Sequence, residues 1–301
     1  MMRVSEVDCR TALSPSRLPG LDYALNPYRG CAFACAYCYS PAVLREARSW
    51  GSFVEARRNI PYVLAKELKS RPPGVVGIGT VTDAYQPLEG RYKLTRFCLE
   101  QLVRYDFPIS IQTKSPLLLR DLDILDSFRH ADVGFSICTL DDDLRRLFEP
   151  GAPPTRARLS ALERVASSGI DTWAFLGPIL PGVTETHVDE LVQLIASTGT
   201  KVVVVDRLRV RPLIWENLRR TLEDHPALEY VHRRALWEDP GYFEGILRRI
   251  RRLCREVGLV CEDAFPTRTL RRQAGQRPSG PRSTTPKAAN RRESEAGVLQ
   301  I

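Results

Sequence analysis

Asn26-Pro27-Tyr28-Arg29-Gly30-Cys31-Ala32-Phe33-Ala34-Cys35-Ala36-Tyr37-Cys38-Tyr39 sets three cysteines at C-x3-C-x2-C spacing on one short segment. Cysteine thiolates are the usual protein ligands of iron–sulfur clusters. This spacing lets one loop supply three corners of a cubane and leaves the remaining iron open. An open iron can bind a small molecule and pass it an electron. Gly30 allows a tight backbone, and Ala32, Ala34 and Ala36 let the chain close round a cluster. A structural zinc ion would compete for the same thiols, but such a site wants four ligands, often as two close pairs. Cys9, Cys98, Cys138, Cys254 and Cys261 are all isolated, and His130, His187, His225 and His232 are scattered and make no H-x3–5-H pair.

With 301 residues, 43% of them hydrophobic, the chain can bury a full core, as one α/β barrel or as two smaller domains. Residues 1–20 contain no apolar segment of the signal-peptide type. The chain has no run of apolar residues long enough to span a bilayer. Eight cysteines without regular spacing argue for a reducing compartment, so the expected location is cytoplasmic. Between residues 267 and 301 eight basic side chains face two acidic ones, so all but +2 of the net charge of +8 lies there. That stretch is rich in Pro, Ser, Thr, Gly and Arg and is expected to be a disordered basic tail. Such a tail adds non-specific phosphate affinity at most; a solvated end is the simpler reading.

Short apolar runs predict strands at Tyr23–Leu25, Val75–Gly79, Pro108–Gln112, Val133–Cys138, Thr172–Leu176 and Val202–Val205, with a weaker one at Leu259–Cys261. Helices are predicted between them at Tyr62–Lys69, Leu94–Tyr105, Asp121–Phe128, Pro154–Ser167, Thr186–Ser197, Leu213–Leu222 and Tyr242–Val257. This alternation argues for a parallel sheet with helices outside, in which sites gather on the loops after the strands.

The informative polar residues fall at those strand ends. Thr82 and Asp83 offer a hydroxyl and a carboxylate to an ammonium group, although an Asx turn or helix cap uses the same residues. Lys114, in Gln112-Thr113-Lys114-Ser115, suits a carboxylate ligand; a lone lysine is more often solvated. Ser136 and Cys138 share one face of their strand and Phe135 and Ile137 the other, and either pair can face the interior. Gly177-Pro178-Ile179-Leu180-Pro181-Gly182, following Ala174, makes a rigid loop that permits close approach. Arg158 can clamp a carboxylate, with a helix-surface ion pair the simpler reading. Arg207, Arg209 and Arg211 alternate and can line a phosphate path or form a solvated strand face.

Together these segments resemble the radical SAM enzymes, in particular the spore photoproduct lyase branch and its shorter relatives often labelled DNA repair photolyases. The likeness rests on NPYRGC…C..CY, on TDAYQPLE at Thr82–Glu89, on TKSPLLLRDLDIL at Thr113–Leu125, and on EP…R followed by GPILPG. It implies a partial (β/α)6 TIM-like barrel over residues 21–265, after an N-terminal extension at 1–20 and before the tail at 266–301. It implies a [4Fe-4S] cluster on Cys31, Cys35 and Cys38, and S-adenosylmethionine held near Tyr37, Tyr39, Thr82, Asp83, Lys114, Ser136 and the Ala174 backbone. One-electron reduction of that cofactor gives a 5′-deoxyadenosyl radical that abstracts hydrogen from the substrate. The electron would come from a flavodoxin- or ferredoxin-like donor.

One departure bears on the reaction. The lyases carry a hydrogen-donating cysteine immediately before a Ser-Asp pair that Thr82 and Asp83 match, where this chain has Val81, whose C–H bonds are strong. Val81 therefore supplies no hydrogen atom for repair by the lyase route. Tyr85 and Cys138 are the weak candidates for a replacement, although a buried cysteine is usually inert. The resemblance points to a damaged or modified nucleic-acid base as substrate. A peptide, protein or small metabolite is the first alternative, and a non-catalytic iron–sulfur module that docks on nucleic acid is the second.

Overall fold

The computed structural model describes residues 2–265, so the basic segment from 266 onward lies outside the described residues. The strands are β1 (Arg3–Val7), β2 (Leu13–Pro15), β3 (Tyr23–Leu25), β4 (Tyr28–Arg29), β5 (Phe53–Arg57), β6 (Val76–Ile78), β7 (Ile109–Thr113), β8 (Ala131–Ser136), β9 (Asp171–Ile179), β10 (Val202–Arg207) and β11 (Val260–Asp263). Eight of them form one sheet in the order β11-β10-β9-β8-β7-β6-β3-β2. Neighbours from β3 through β6 to β11 are parallel, and β2 closes one edge antiparallel to β3. The six parallel strands of the expected barrel, β3 and β6 to β10, thus lie side by side in their chain order, with β4 and β5 set apart in another sheet, and β11 extends them. A second, small sheet in the order β1-β5-β4 was not expected.

The register separates two faces. Ile109, Ile111, Val133, Phe135, Ala174, Leu176, Val203 and Val205 are all buried and share the side on which the helices pack. Burying each large side chain of this set contributes about 1.5–3 kcal/mol. On the opposite, inner face, Ser110 and Trp173 both donate to Asp132 Oδ1, at 2.6 and 2.7 Å. Gln112 Nε2 donates to the Ser136 hydroxyl at 2.9 Å. Gly134 is needed beneath the indole, because a Cβ there would meet the Trp173 ring at 2.3 Å. Between the two possibilities left open by alternation, Ser136 takes the inner face and Phe135 the helix-covered one.

The helix Thr155–Ser167 shows how the outer layer is encoded. Leu159, Leu162 and Val165 make its apolar stripe and are buried against the sheet. Arg158 lies on that stripe too, one turn before Leu162, and its relative exposure is 0%. The helix-surface ion pair is therefore corrected to a fully buried one. The predicted helix at Asp121–Phe128 is also shorter: a 3-10 turn covers Pro116–Asp121 and a single helical turn Leu122–Leu125. Ser115 caps the 3-10 turn by accepting the Leu117 N–H. Asp121 is drawn into ion pairs with Arg96 and Arg120.

Candidate functional site

The cysteine loop leaves β4 and ends at the short helix Ser40–Leu44. Gly30 enters it at φ +83° and Ala34 turns it at φ 52°, so small residues stand at its tightest points. Its own backbone makes Ala34 N–H to Cys31 O and Cys38 N–H to Cys35 O bonds of 3.3 and 3.1 Å. Two other segments grip it. From the loop after β6, Thr82 Oγ1 donates to Gly30 O at 2.6 Å, while Gln86 Oε1 accepts the Ala32 N–H at 2.9 Å. From the segment after the helix Asp142–Phe148, Phe148 O accepts the Ala36 N–H and Gly151 donates its N–H to Phe33 O.

Cys31, Cys35 and Cys38 are free thiols. Burial pushes the Cys31 thiol up to about 12 and raises Cys35 and Cys38 as well. Thiolates at these positions therefore need a cationic partner, which the irons of a cluster provide. Among the described residues no three His, Cys, Asp or Glu side chains gather round a single point that would hold one metal ion. A cubane, in which three irons each take a separate thiolate, does not require that they do. The donor set fits the cluster.

Around the loop, the strand ends are tied to one another. Asn26 Nδ2 donates to Thr80 Oγ1 at 3.0 Å, and its Oδ1 accepts the Val81 N–H at 3.0 Å. Tyr39 is 47% exposed, and its hydroxyl donates to Thr80 O. Asp83 is buried and has both oxygens engaged: Oδ1 accepts from Tyr85 N–H and Thr113 Oγ1, and Oδ2 from Lys114 N–H. Burial raises its carboxyl above the usual range, opposed by those three donors. Thr82 and Asp83 thus join the cysteine loop, the β6 end and the β7 end into one frame.

Lys114 reaches toward a residue that sequence reasoning gave no role, Glu149. Its Nζ lies 3.9 Å from Glu149 Oε1 and 5.8 Å from the centre of the Tyr37 ring. The same oxygen accepts the Tyr37 hydroxyl, and Cys138 Sγ stands 3.5 Å from it. The other oxygen pairs with Arg158 Nη2 at 2.5 Å, while Arg158 also donates to Ser136 O and Pro153 O. Burial alone would raise the Glu149 carboxyl, but the Arg158 and Lys114 charges outweigh it and hold it below the usual value. Lys114 is likewise opposed by burial yet raised, by Cys35 and by the Glu149 carboxylate beside it. Arg158 could have been placed from its register with Leu162 and Val165. Glu149, on a non-periodic turn, gave no such signal.

The remaining candidates are more scattered. Ala174 sits mid-strand on the helix-covered side of β9, between Phe135 and Val203. Tyr85 is fully buried, its hydroxyl near the charges of Asp121 and Glu89. Cys138 is buried, with its thiol turned to Glu149. Arg207 ends β10 and is exposed, as is Arg211 before the helix Pro212–Thr221; Arg209 instead pairs with Asp206 and covers the Phe265 ring.

The model of the Radical SAM superfamily matches residues 25–195. An uncharacterized protein of Methanocaldococcus jannaschii is 33% identical over 189 residues, 62% of this chain and 71% of its own. An uncharacterized protein of Mycobacterium tuberculosis is 32% identical over 282 residues, covering 85% of this chain and 81% of its own. Among solved structures, spore photoproduct lyase complexed with dinucleoside spore photoproduct superposes at a TM-score of 0.66 with 16% identity, over 88% of this chain and 82% of that one. A thiol loop fitted to a cubane, the ordered parallel strands and these matches together place the chain in the radical SAM superfamily, whose members use a [4Fe-4S] cluster and S-adenosylmethionine.

Proposed function

We propose that the protein abstracts a hydrogen atom from a base in a nucleic-acid strand laid across the C-terminal ends of the parallel strands. Cluster and S-adenosylmethionine together supply the carbon radical. The protein's part is to hold the cysteine loop, to seat the cofactor beside Lys114 and Tyr39, and to present the base.

The observation that carries the substrate class is an arginine and aromatic patch at that end of the sheet. Arg207 and Arg211 are exposed. Arg211 precedes the helix whose Trp215 meets Trp237 edge-on, with ring centres 4.6 Å apart. Trp237 is 56% exposed. The helix Pro226–Arg233 leads into Trp237, and its His232 stacks on Phe148, whose carbonyl grips the cysteine loop. Guanidinium groups pair with phosphates, and an exposed indole stacks on a base without regard to its identity. The spore photoproduct lyase likeness supports the same class by fold.

Neither hydrogen-donor candidate is presented to that patch, since Tyr85 is buried and Cys138 faces Glu149. With Val81 in the lyase cysteine's place, we read the substrate radical as quenched without a thiol, by returning its electron to the oxidised cluster and losing a proton. The test is anaerobic turnover with a perdeuterated single-stranded oligonucleotide, with the 5′-deoxyadenosine examined by mass spectrometry. Deuterium in that product is expected. Deoxyadenosine formed at the same rate with and without oligonucleotide, and free of deuterium, would turn the reading to a peptide or small metabolite.

A further inference from the structure

We propose that Glu149 is a positioning residue that sets the charge beside the cysteine loop and so tunes the reduction potential of the cluster held there. Three observations converge. Glu149 is 1% exposed and Arg158 0%, so their charges act across protein rather than water. The Glu149 carboxylate takes the hydroxyl of Tyr37, the residue between Cys35 and Cys38. Lys114 Nζ stands 3.9 Å from the same carboxylate's Oε1 and 5.8 Å from the centre of the Tyr37 ring. Within the Glu149 group the sum is therefore one carboxylate against two cations; the Asp83 carboxylate, which accepts the Lys114 N–H, is the same in every variant. Cluster potentials follow the net charge around them, since adding an electron is favoured by positive surroundings.

This arrangement makes the sign of each perturbation readable. Glu149→Gln keeps the shape and leaves two uncompensated cations, so the midpoint potential rises. Arg158→Gln leaves the carboxylate balanced by Lys114 alone, so it falls. Glu149→Gln with Arg158→Gln restores the wild-type sum, and the potential returns close to the wild-type value. Tyr37→Phe alters no charge; the potential stays near wild type, while a chelator strips iron several-fold faster because the tether from the loop to Glu149 is lost.

The experiment is an EPR-monitored redox titration of each reconstituted protein without S-adenosylmethionine, with iron and sulfide measured alongside. The expected order is Glu149→Gln highest, wild type and the double variant together, and Arg158→Gln lowest. Potentials that are equal, or that do not follow charge, would overturn the proposal. If Arg158→Gln does not fold, Glu149→Gln and the double variant still decide it. The proposal rests on the cluster being carried by Cys31, Cys35 and Cys38. Failure of wild type to take up iron defeats that reading, whereas loaded proteins with unordered potentials defeat this one alone.

Discussion

Gly151→Ala should damage the cysteine loop more than its single added methyl suggests. A Cβ at Gly151 would lie 2.1 Å from Ala32 O, 2.9 Å from Phe33 Cα and 3.0 Å from Ala32 C. All three are backbone atoms of the loop, so no rotamer change relieves the clash. Relief means moving the chain between Cys31 and Cys35 and stretching the 3.1 Å bond from Gly151 N–H to Phe33 O. Overpacking costs about 1–3 kcal/mol and a lost hydrogen bond about 1 kcal/mol, so the expected loss is roughly 2–4 kcal/mol. For a domain of this size that lowers the melting temperature by roughly 4–16 °C. Thermal unfolding by circular dichroism measures the loss, and iron per chain after reconstitution should fall with it. Gly245→Ala is the control, because a Cβ there meets nothing within 4 Å in the helix Tyr242–Glu256. That change should stabilise by about 0.5–1 kcal/mol. A Gly151→Ala protein that melts within about 2 °C of wild type and loads iron fully would refute the steric reasoning.

Replacing Cys31, Cys35 and Cys38 together with alanine should abolish iron uptake and 5′-deoxyadenosine formation, read by metal analysis and chromatography. Arg158→Met strands a buried carboxylate and should cost about 3–5 kcal/mol in urea unfolding; adding Glu149→Leu should recover part of that loss, and a single variant as stable as wild type would contradict the buried pair. Burial holds the fully buried His232 below its ordinary 6.5. The unfolded chain therefore takes up the proton first, and this contribution to stability is complete above pH 6.5 and declines as pH falls. His232→Phe should flatten that slope by up to about 1.4 kcal/mol per pH unit, measured by urea unfolding between about pH 5 and 7. Trp237→Ala should weaken single-strand binding by about 1–3 kcal/mol in fluorescence anisotropy; unchanged affinity would remove the indole from the interface.

The parallel strands were legible because each is a short apolar run between turn-forming residues. Val202–Val205 is four β-branched valines, a pattern that suits a strand covered on both faces. β1 and β5 escaped because Arg-Val-Ser-Glu-Val and Phe-Val-Glu-Ala-Arg carry too little apolar patterning to announce a strand. Their identity comes from pairing with each other, Arg3 with Phe53 through Val7 with Arg57. The three-thiol loop was legible for the opposite reason, since three cysteines on one short segment need no tertiary partner to be noticed. Thr82 and Asp83 could be placed at a strand end from the sequence, yet the bonds they make to Gly30, Thr113 and Lys114 depend on residues that only the fold brings near them. Arg158 and Glu149 show the limit most plainly. A charged residue is read as solvated until its partner is known, and here the partner lies nine residues away across a turn.

Among the described residues the main sheet does not close on itself: β2 and β11 are its two free margins. A long, flat margin with open amides and carbonyls invites a second molecule to add a strand. Both margins are poor templates. β2 is three residues long and ends in Pro15, which has no N–H to offer. β11 ends in Glu262 and Asp263, and Asp263 is paired with Arg251. An incoming strand would have to bring its own backbone alongside two carboxylates. Among the described residues, the two open margins of this sheet are thereby poorly suited to edge-to-edge pairing with a second chain.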